Sequence, residues 1–221
     1  MARATQKLAK DADTTDRVLR SAAVLFARHG YDGASVRDIC ADAGASANAI
    51  HYHFGNKDAL YRQVLERFSA VQSEAGARIL TAPPRDLADL ETRLTLFVEE
   101  TLAGLMAEPE ALQILYAEFE NGFPRCPESV MQAFMGQFTN LTAFFDAAQQ
   151  NRILGQGVDI NIAAGQLFER MGTQARFAGT IGSQCGASIH DDTYRRHWVE
   201  QTVSLLLYGT APRQPRQRSF T

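Results

Sequence analysis

Ser35-Val-Arg-Asp-Ile-Cys-Ala-Asp-Ala-Gly-Ala-Ser-Ala-Asn-Ala-Ile-His-Tyr-His-Phe-Gly-Asn-Lys57 reads as two short helices broken by one tight turn. Ser35 is placed to cap the first, with Asp38 three residues on completing a capping-box-like pair. Val36, Ile39, Cys40 and Ala43 give that helix one apolar face. Gly44 falls where the chain must leave the helix, the usual place for a left-handed residue. Ser46 then caps a second helix, Ala47 to His53. Helix, Gly-containing turn and helix make a helix-turn-helix signature. The outward side of the second helix is small or polar: Ala47, Asn48, His51 and Tyr52. A helix that only filled a core would carry more bulk there. One that enters a DNA major groove needs small residues for close approach and a few groups for base edges.

The flanks extend this unit. A helix is expected from Thr14, capped by Thr14 or Thr15, with Val18, Leu19, Ala22, Ala23, Leu25 and Phe26 as its apolar stripe. It ends at His29-Gly30 and should pack across the two short helices. Asn56 caps a further helix in which Leu60, Tyr61, Val64, Leu65 and Phe68 keep helical spacing. That helix should run to about Leu80, before Pro83-Pro84. The small N-terminal domain therefore ends inside a helix that also starts the next one, a mechanical connection. Residues 1–13, with Arg3, Lys7 and Lys10, read as a disordered basic arm, either plainly solvated or settling on DNA phosphates.

The 221 residues are 45% hydrophobic and 21% charged, enough for a substantial core in a soluble globular protein. The net charge of -3 does not announce nucleic acid, but its distribution is uneven. Residues 1–67 hold ten Lys/Arg against eight Asp/Glu, whereas residues 68–208 hold nine against seventeen. A mildly basic head on an acidic body suits a DNA-contacting module attached to something that does not touch DNA. Cys40, Cys126 and Cys185 are odd in number and far apart, against a disulfide framework or structural zinc site. No apolar run approaches the roughly 18 to 20 residues of a membrane span, and the start lacks a signal-peptide core. A cytoplasmic location is expected, with no membrane partner.

The segment from about Thr14 to Phe68 resembles the DNA-binding domain of the TetR family of bacterial transcriptional repressors. The resemblance is carried by Ala22-Ala-Val-Leu-Phe26, His29-Gly-Tyr31, Ser35-Val-Arg-Asp-Ile39, Ala43-Gly44 and Ile50. Tyr52-His-Phe54, Asn56-Lys57 and Leu60-Tyr61 complete it. By that resemblance Ala47, Asn48, Ala49 and His51 face base edges, with Ser46 at the start of the recognition helix. Arg37 reaches a guanine or a phosphate, while Tyr52, His53 and Lys57 grip the backbone. The chemistry agrees at Lys57, in the first turn of its helix, where the dipole and free N–H groups attract an anion. Asn48 can pair with adenine, and alanine methyls can touch thymine methyls. For Asn48 plain solvation of the helix stays open, for His53 an intradomain hydrogen bond, for Tyr52 cover of a helix junction. His51 and His53 point apart on a helix, against shared metal ligation.

Residues 68–208 are expected to be helical throughout, giving an all-α chain: a small helix-turn-helix domain, 14–67, then a larger ligand-binding and dimerisation domain. The tail, 209–221, reads as disordered. Phe97, Met106, Tyr116, Phe119, Met131, Phe134, Phe138 and Phe168 are candidates to line a cavity between helices for a small apolar or aromatic effector. Plain core is the competing reading for each. Gln174 and Glu118 are polar within apolar segments, either orienting a ligand or lying on the surface. Residues 159–181 and Thr193–Tyr208 are expected as the last two helices. Met171, Gln174, Phe177 and Ile181 share a face of the first; Tyr194, Trp198, Thr202 and Leu205 share one on the second. Two such helices per subunit would build a four-helix bundle across a two-fold axis, and TetR-like proteins dimerise in this way.

The expected function is a homodimeric transcriptional regulator, a repressor released from a pseudo-palindromic operator by an effector. No cofactor or metal is expected. An enzyme is disfavoured: there is no Gly-rich phosphate loop, nucleophile elbow or metal-spaced His/carboxylate cluster. A thiol-responsive regulator acting through Cys126, beside Arg125, is the alternative.

Overall fold

The computed structural model describes residues 2–209, and within them the chain is all α-helical. Helix α1 (Ala2–Gly33) buries Val18, Ala22 and Phe26, one residue per turn along a single stripe. It begins at Ala2 rather than at Thr14, so the segment read as a disordered arm carries helical backbone. At Gly30 the backbone turns left-handed (φ 69°), which ends the regular helix where the sequence places the break. Helices α2 (Val36–Ala43) and α3 (Ala47–Phe54) follow, then α4 (Lys57–Ile79). Each starts on the expected cap. Ser35 Oγ accepts from Asp38 N at 3.1 Å, Ser46 Oγ from Ala49 N at 3.2 Å, and Asn56 Oδ1 from Ala59 N at 2.8 Å. Ser35 Oγ also donates to the Asp38 carboxylate at 2.6 Å, and Gly44 sits left-handed at φ 61°.

Helix α4 belongs to both halves of the molecule. Its first three turns bury Leu60, Tyr61, Val64, Leu65 and Phe68, and the helix packs on α1. Farther along, α4 packs on α5 (Leu87–Ala107) and α7 (Glu128–Gln150), with α6 (Pro109–Glu120) also against it. The C-terminal carbonyl of Ile79 accepts two bonds from Arg93 of α5, at 2.6 and 2.8 Å, and the same guanidinium covers the Phe144 ring. Helix α8 (Ile160–Arg176) packs on α5 and α7, and α10 (Asp192–Tyr208) on α5. Between them the expected single helix 159–181 is broken. Phe177 interrupts it, 44% exposed, and α9 (Ala178–Cys185) leaves separately. Ile181 therefore lies on α9, and its side chain is outside the described residues, as is the chain after Gly209.

The head does not hang free from the body. Arg67 of α4 pairs with Asp16 at 2.6 Å and reaches Glu108 at 3.9 Å. Gln113 of α6 donates to the Ala27 carbonyl at 3.2 Å, and α1 packs along α6.

Candidate functional site

The caps fix the orientation of α3. With Ile50 and Phe54 buried at 1% and 5% exposure, the opposite side must face solvent, and Ala47, Asn48, His51 and Tyr52 do. Tyr52 is 78% exposed, so it covers no junction among the described residues. Ser46 and Arg37 are exposed beside this face, while Ala49 and His53 are half-buried at its edges. This surface is convex, small at its centre and polar at its rim, the shape and chemistry that suit a major groove.

Lys57 is tied into the fold in a way the sequence did not show. Its Nζ lies 4.4 Å from the centroid of the Tyr31 ring. The Arg125 guanidinium lies 4.3 Å from the same centroid. One aromatic ring thus takes two cations, one from the N-terminus of α4 and one from the loop joining α6 to α7. Tyr31 is itself edge-on to Tyr61, whose hydroxyl donates to Glu118 Oε1 at 2.6 Å. Glu118 Oε2 accepts from the backbone N–H of Arg125 at 2.9 Å, and the Arg125 side chain approaches Asp32 at 3.6 Å. Burial first, then the bond to Glu118, holds the Tyr61 hydroxyl far above its ordinary range. The surface placement expected for Glu118 is corrected: it is 5% exposed, because Tyr61 and the Arg125 amide satisfy its oxygens inside the protein.

Some of the rings expected to line a cavity come together in the core. Phe97 meets Phe168 edge-on at 6.0 Å, and Phe138 lies 6.2 Å from Phe168. Phe134, Met106 and Met131 are half-buried, the first two packed on this core. Tyr116 stands apart, pressed against Gly172 of α8 and covered by Arg176 at 4.5 Å. Phe119 is a correction: it is 66% exposed and packs edge-on against Phe123 at 5.3 Å, on the outer side of α6. Sequence reasoning missed three buried polar residues beside the aromatic rings: Gln72, Thr101 and Gln137. The signal was present, since each interrupts an apolar stripe at helical spacing, as Gln137 does between Val130 and Phe144.

Along α8 and α10 runs an open groove of about 590 Å³. Gln174, Trp198, Thr202 and Leu205 line it with Arg170, which donates to Thr202 Oγ1 at 2.9 Å and covers the Trp198 ring. Leu205 and Phe177 are exposed and Tyr194 is half-buried. Met171 is corrected: at 0% exposure it belongs to the core of its own subunit. Gln174 is buried too, with its amide nitrogen unpartnered among the described residues. Cys126 is half-buried, and burial first, then the nearby Glu118, push its thiol up to about 11. A reactive cysteine requires the opposite shift, so nothing at Cys126 supports the thiol-responsive alternative.

The profile of bacterial regulatory proteins of the tetR family matches residues 18–64, from α1 into α4. The chain is 32% identical over 210 residues to the HTH-type transcriptional repressor NicS of Pseudomonas putida, covering 94% of this chain and 97% of that one. Its fold resembles the TetR family regulator PfmR of Thermus thermophilus, with a TM-score of 0.71, 20% identity and coverage of 89% and 97%. It also resembles the regulator FadR of Bacillus subtilis, solved with stearoyl-CoA, with a TM-score of 0.65, 15% identity and coverage of 88% and 98%. A helix-turn-helix head with the expected caps, a helical body and a full-length relative lead to one conclusion: the chain belongs to the tetR family of bacterial regulatory proteins and is a DNA-binding transcriptional regulator.

Proposed function

We propose that the chain acts as a homodimeric repressor whose two α3 helices enter successive major grooves of a pseudo-palindromic operator. The observation that carries this reading is the exposed, small and polar outer face of α3, set beside Lys57 at the N-terminus of α4. Asn48 and His51 read base edges, with Ala47 and Ala49 allowing close approach. Arg37, Ser46, Tyr52, His53 and Lys57 hold phosphates. Second copies of the groove along α8 and α10 supply the dimer contact, spacing the heads about one helical turn apart.

A small effector, apolar or aromatic, enters the core around Phe97, Phe138 and Phe168 and shifts α6 or α7. The Glu118–Arg125 connection then carries the change to Tyr31 and so to Lys57. Only a ligand with unequal affinity for the two arrangements can do this. An acyl chain, as bound by the FadR neighbour, fits an apolar core as well as an aromatic effector does.

Footprinting on the DNA flanking the protein's own gene, over a salt series, tests the proposal. Protection of a short two-fold-symmetric site, weakening steeply with salt, is the expected result. Protection without symmetry, or none at low salt, contradicts it.

A further inference from the structure

Two of the buried polar residues next to the aromatic core, Gln72 and Thr101, have side chains without hydrogen-bond partners among the described residues. The side chain of Gln72 on α4 is 5% exposed, and neither its amide nitrogen nor its oxygen has a hydrogen-bond partner among the described residues. Thr101 on α5 is 3% exposed, with its hydroxyl equally unpartnered. Such groups are rare, because each forfeits its bonds to water without replacement. They lie together. The Gln72 amide sits against Gly104, within 2.8–3.0 Å of the point a Cβ there would occupy, and Gly104 is one turn from Thr101. Gln137 of α7 donates to the Gln72 carbonyl. A Cβ at Gly76 would lie 3.5 Å from the Phe97 ring and 3.7 Å from the Gln137 stem. Phe97 shares the inner face of α5 with Thr101 and meets Phe168, which neighbours Phe138.

We propose that Gln72 and Thr101 form the polar end of an effector site and select an uncharged, flat ligand carrying both a hydrogen-bond donor and an acceptor. An aromatic amide is the simplest member of that class. The inference rests on the reading of the helical body as effector-binding. The carboxamide offers one donor group and one acceptor, the hydroxyl either, so a ligand amide satisfies all of them at once. An anion is disfavoured by what these two helices carry. The cations that α5 and the second half of α4 carry are already engaged: Arg78 with Glu100, and Arg93 with the Ile79 carbonyl and Asp89. An anion buried here would lack a counter-charge. Phe138 and Phe168 are only half-buried, so these two rings stand at the edge of the core, where a flat ligand would stack. Gln72 lies on the helix that carries Lys57, so a ligand bond to Gln72 acts directly on the DNA-facing element.

The test is calorimetric titration of the full-length protein with benzamide, benzoate and ethylbenzene, in the wild type and in Thr101→Val and Gln72→Met. Benzamide should bind at least about tenfold more tightly than either comparator, the worth of a satisfied buried bond pair. Each variant should reduce that amide-to-hydrocarbon preference about tenfold while keeping ethylbenzene binding. A purely structural role for the two residues would leave the preference unmoved. No benzamide binding, equal binding of benzoate or ethylbenzene, or an unchanged preference in folded variants overturns the proposal. If a variant does not fold, the wild-type preference decides alone. Benzamide bound with the expected preference, but without any change in operator affinity, supports the site and contradicts the effector reading beneath it.

Discussion

Glu118 shows how much a single buried carboxylate organises. It accepts from the Tyr61 hydroxyl and the Arg125 amide, tying α4 to the loop after α6. Replacing Tyr61 by Phe leaves that carboxylate short of a donor, and urea denaturation should show a loss of about 1–3 kcal/mol. An unchanged midpoint would mean that the bond contributes nothing net. Cys126 gives a prediction in pH. The folded chain keeps the thiol proton up to about 11, whereas its ordinary value is 9.0. Stability from this group is therefore full below pH 9 and lost as pH rises towards 11. Cys126→Ser should flatten part of that decline in melts between these pH values, and iodoacetamide should label the native thiol slowly at pH 8. Fast labelling would restore the thiol-responsive reading. Neither residue's state was legible in the sequence, because Glu118 is buried by a partner 57 positions away.

At the scale of the helix, what was legible and what was not divide by the range of the signal. Ser35, Gly44, Ser46 and Asn56 act on backbone groups within four residues, so the boundaries of α2, α3 and α4 could be read directly. The faces of α6 and α8 depend on packing between distant segments. Phe119 has helical spacing yet points outward to Phe123, and Met171 was placed at a subunit boundary though α8 turns it inward. The approach of α6 to α8 offers a test. A Cβ at Gly172 would overlap Tyr116 Oη, and Arg176 stacks on that ring, which limits how it can yield. Gly172→Ala should lower stability by about 1–3 kcal/mol, despite the better helix propensity of Ala. A rise in melting temperature would show that Tyr116 moves freely.

For the whole molecule, the head was readable from local motifs and the uneven charge, and the all-helical body from periodicity. The dimer face was expected on the last two helices from their small and apolar residues, and the proposed contact follows an open groove between α8 and α10. Leu205 is exposed there, and Leu205→Arg should dissociate the dimer in sedimentation and abolish operator binding while leaving the monomer folded. A dimer that persists would place the interface elsewhere. The most direct test of the central claim is selection from a random duplex pool by the wild type, Asn48→Ala and Lys57→Ala. Palindromes with half-sites about one helical turn apart should be enriched. Asn48→Ala should relax preference at one symmetric base position, a discrimination of about 1–3 kcal/mol, and Lys57→Ala should weaken all sites alike. Enrichment of the same sites with the same preferences by Asn48→Ala, or no enriched site from the wild type, would contradict α3 as the reading helix.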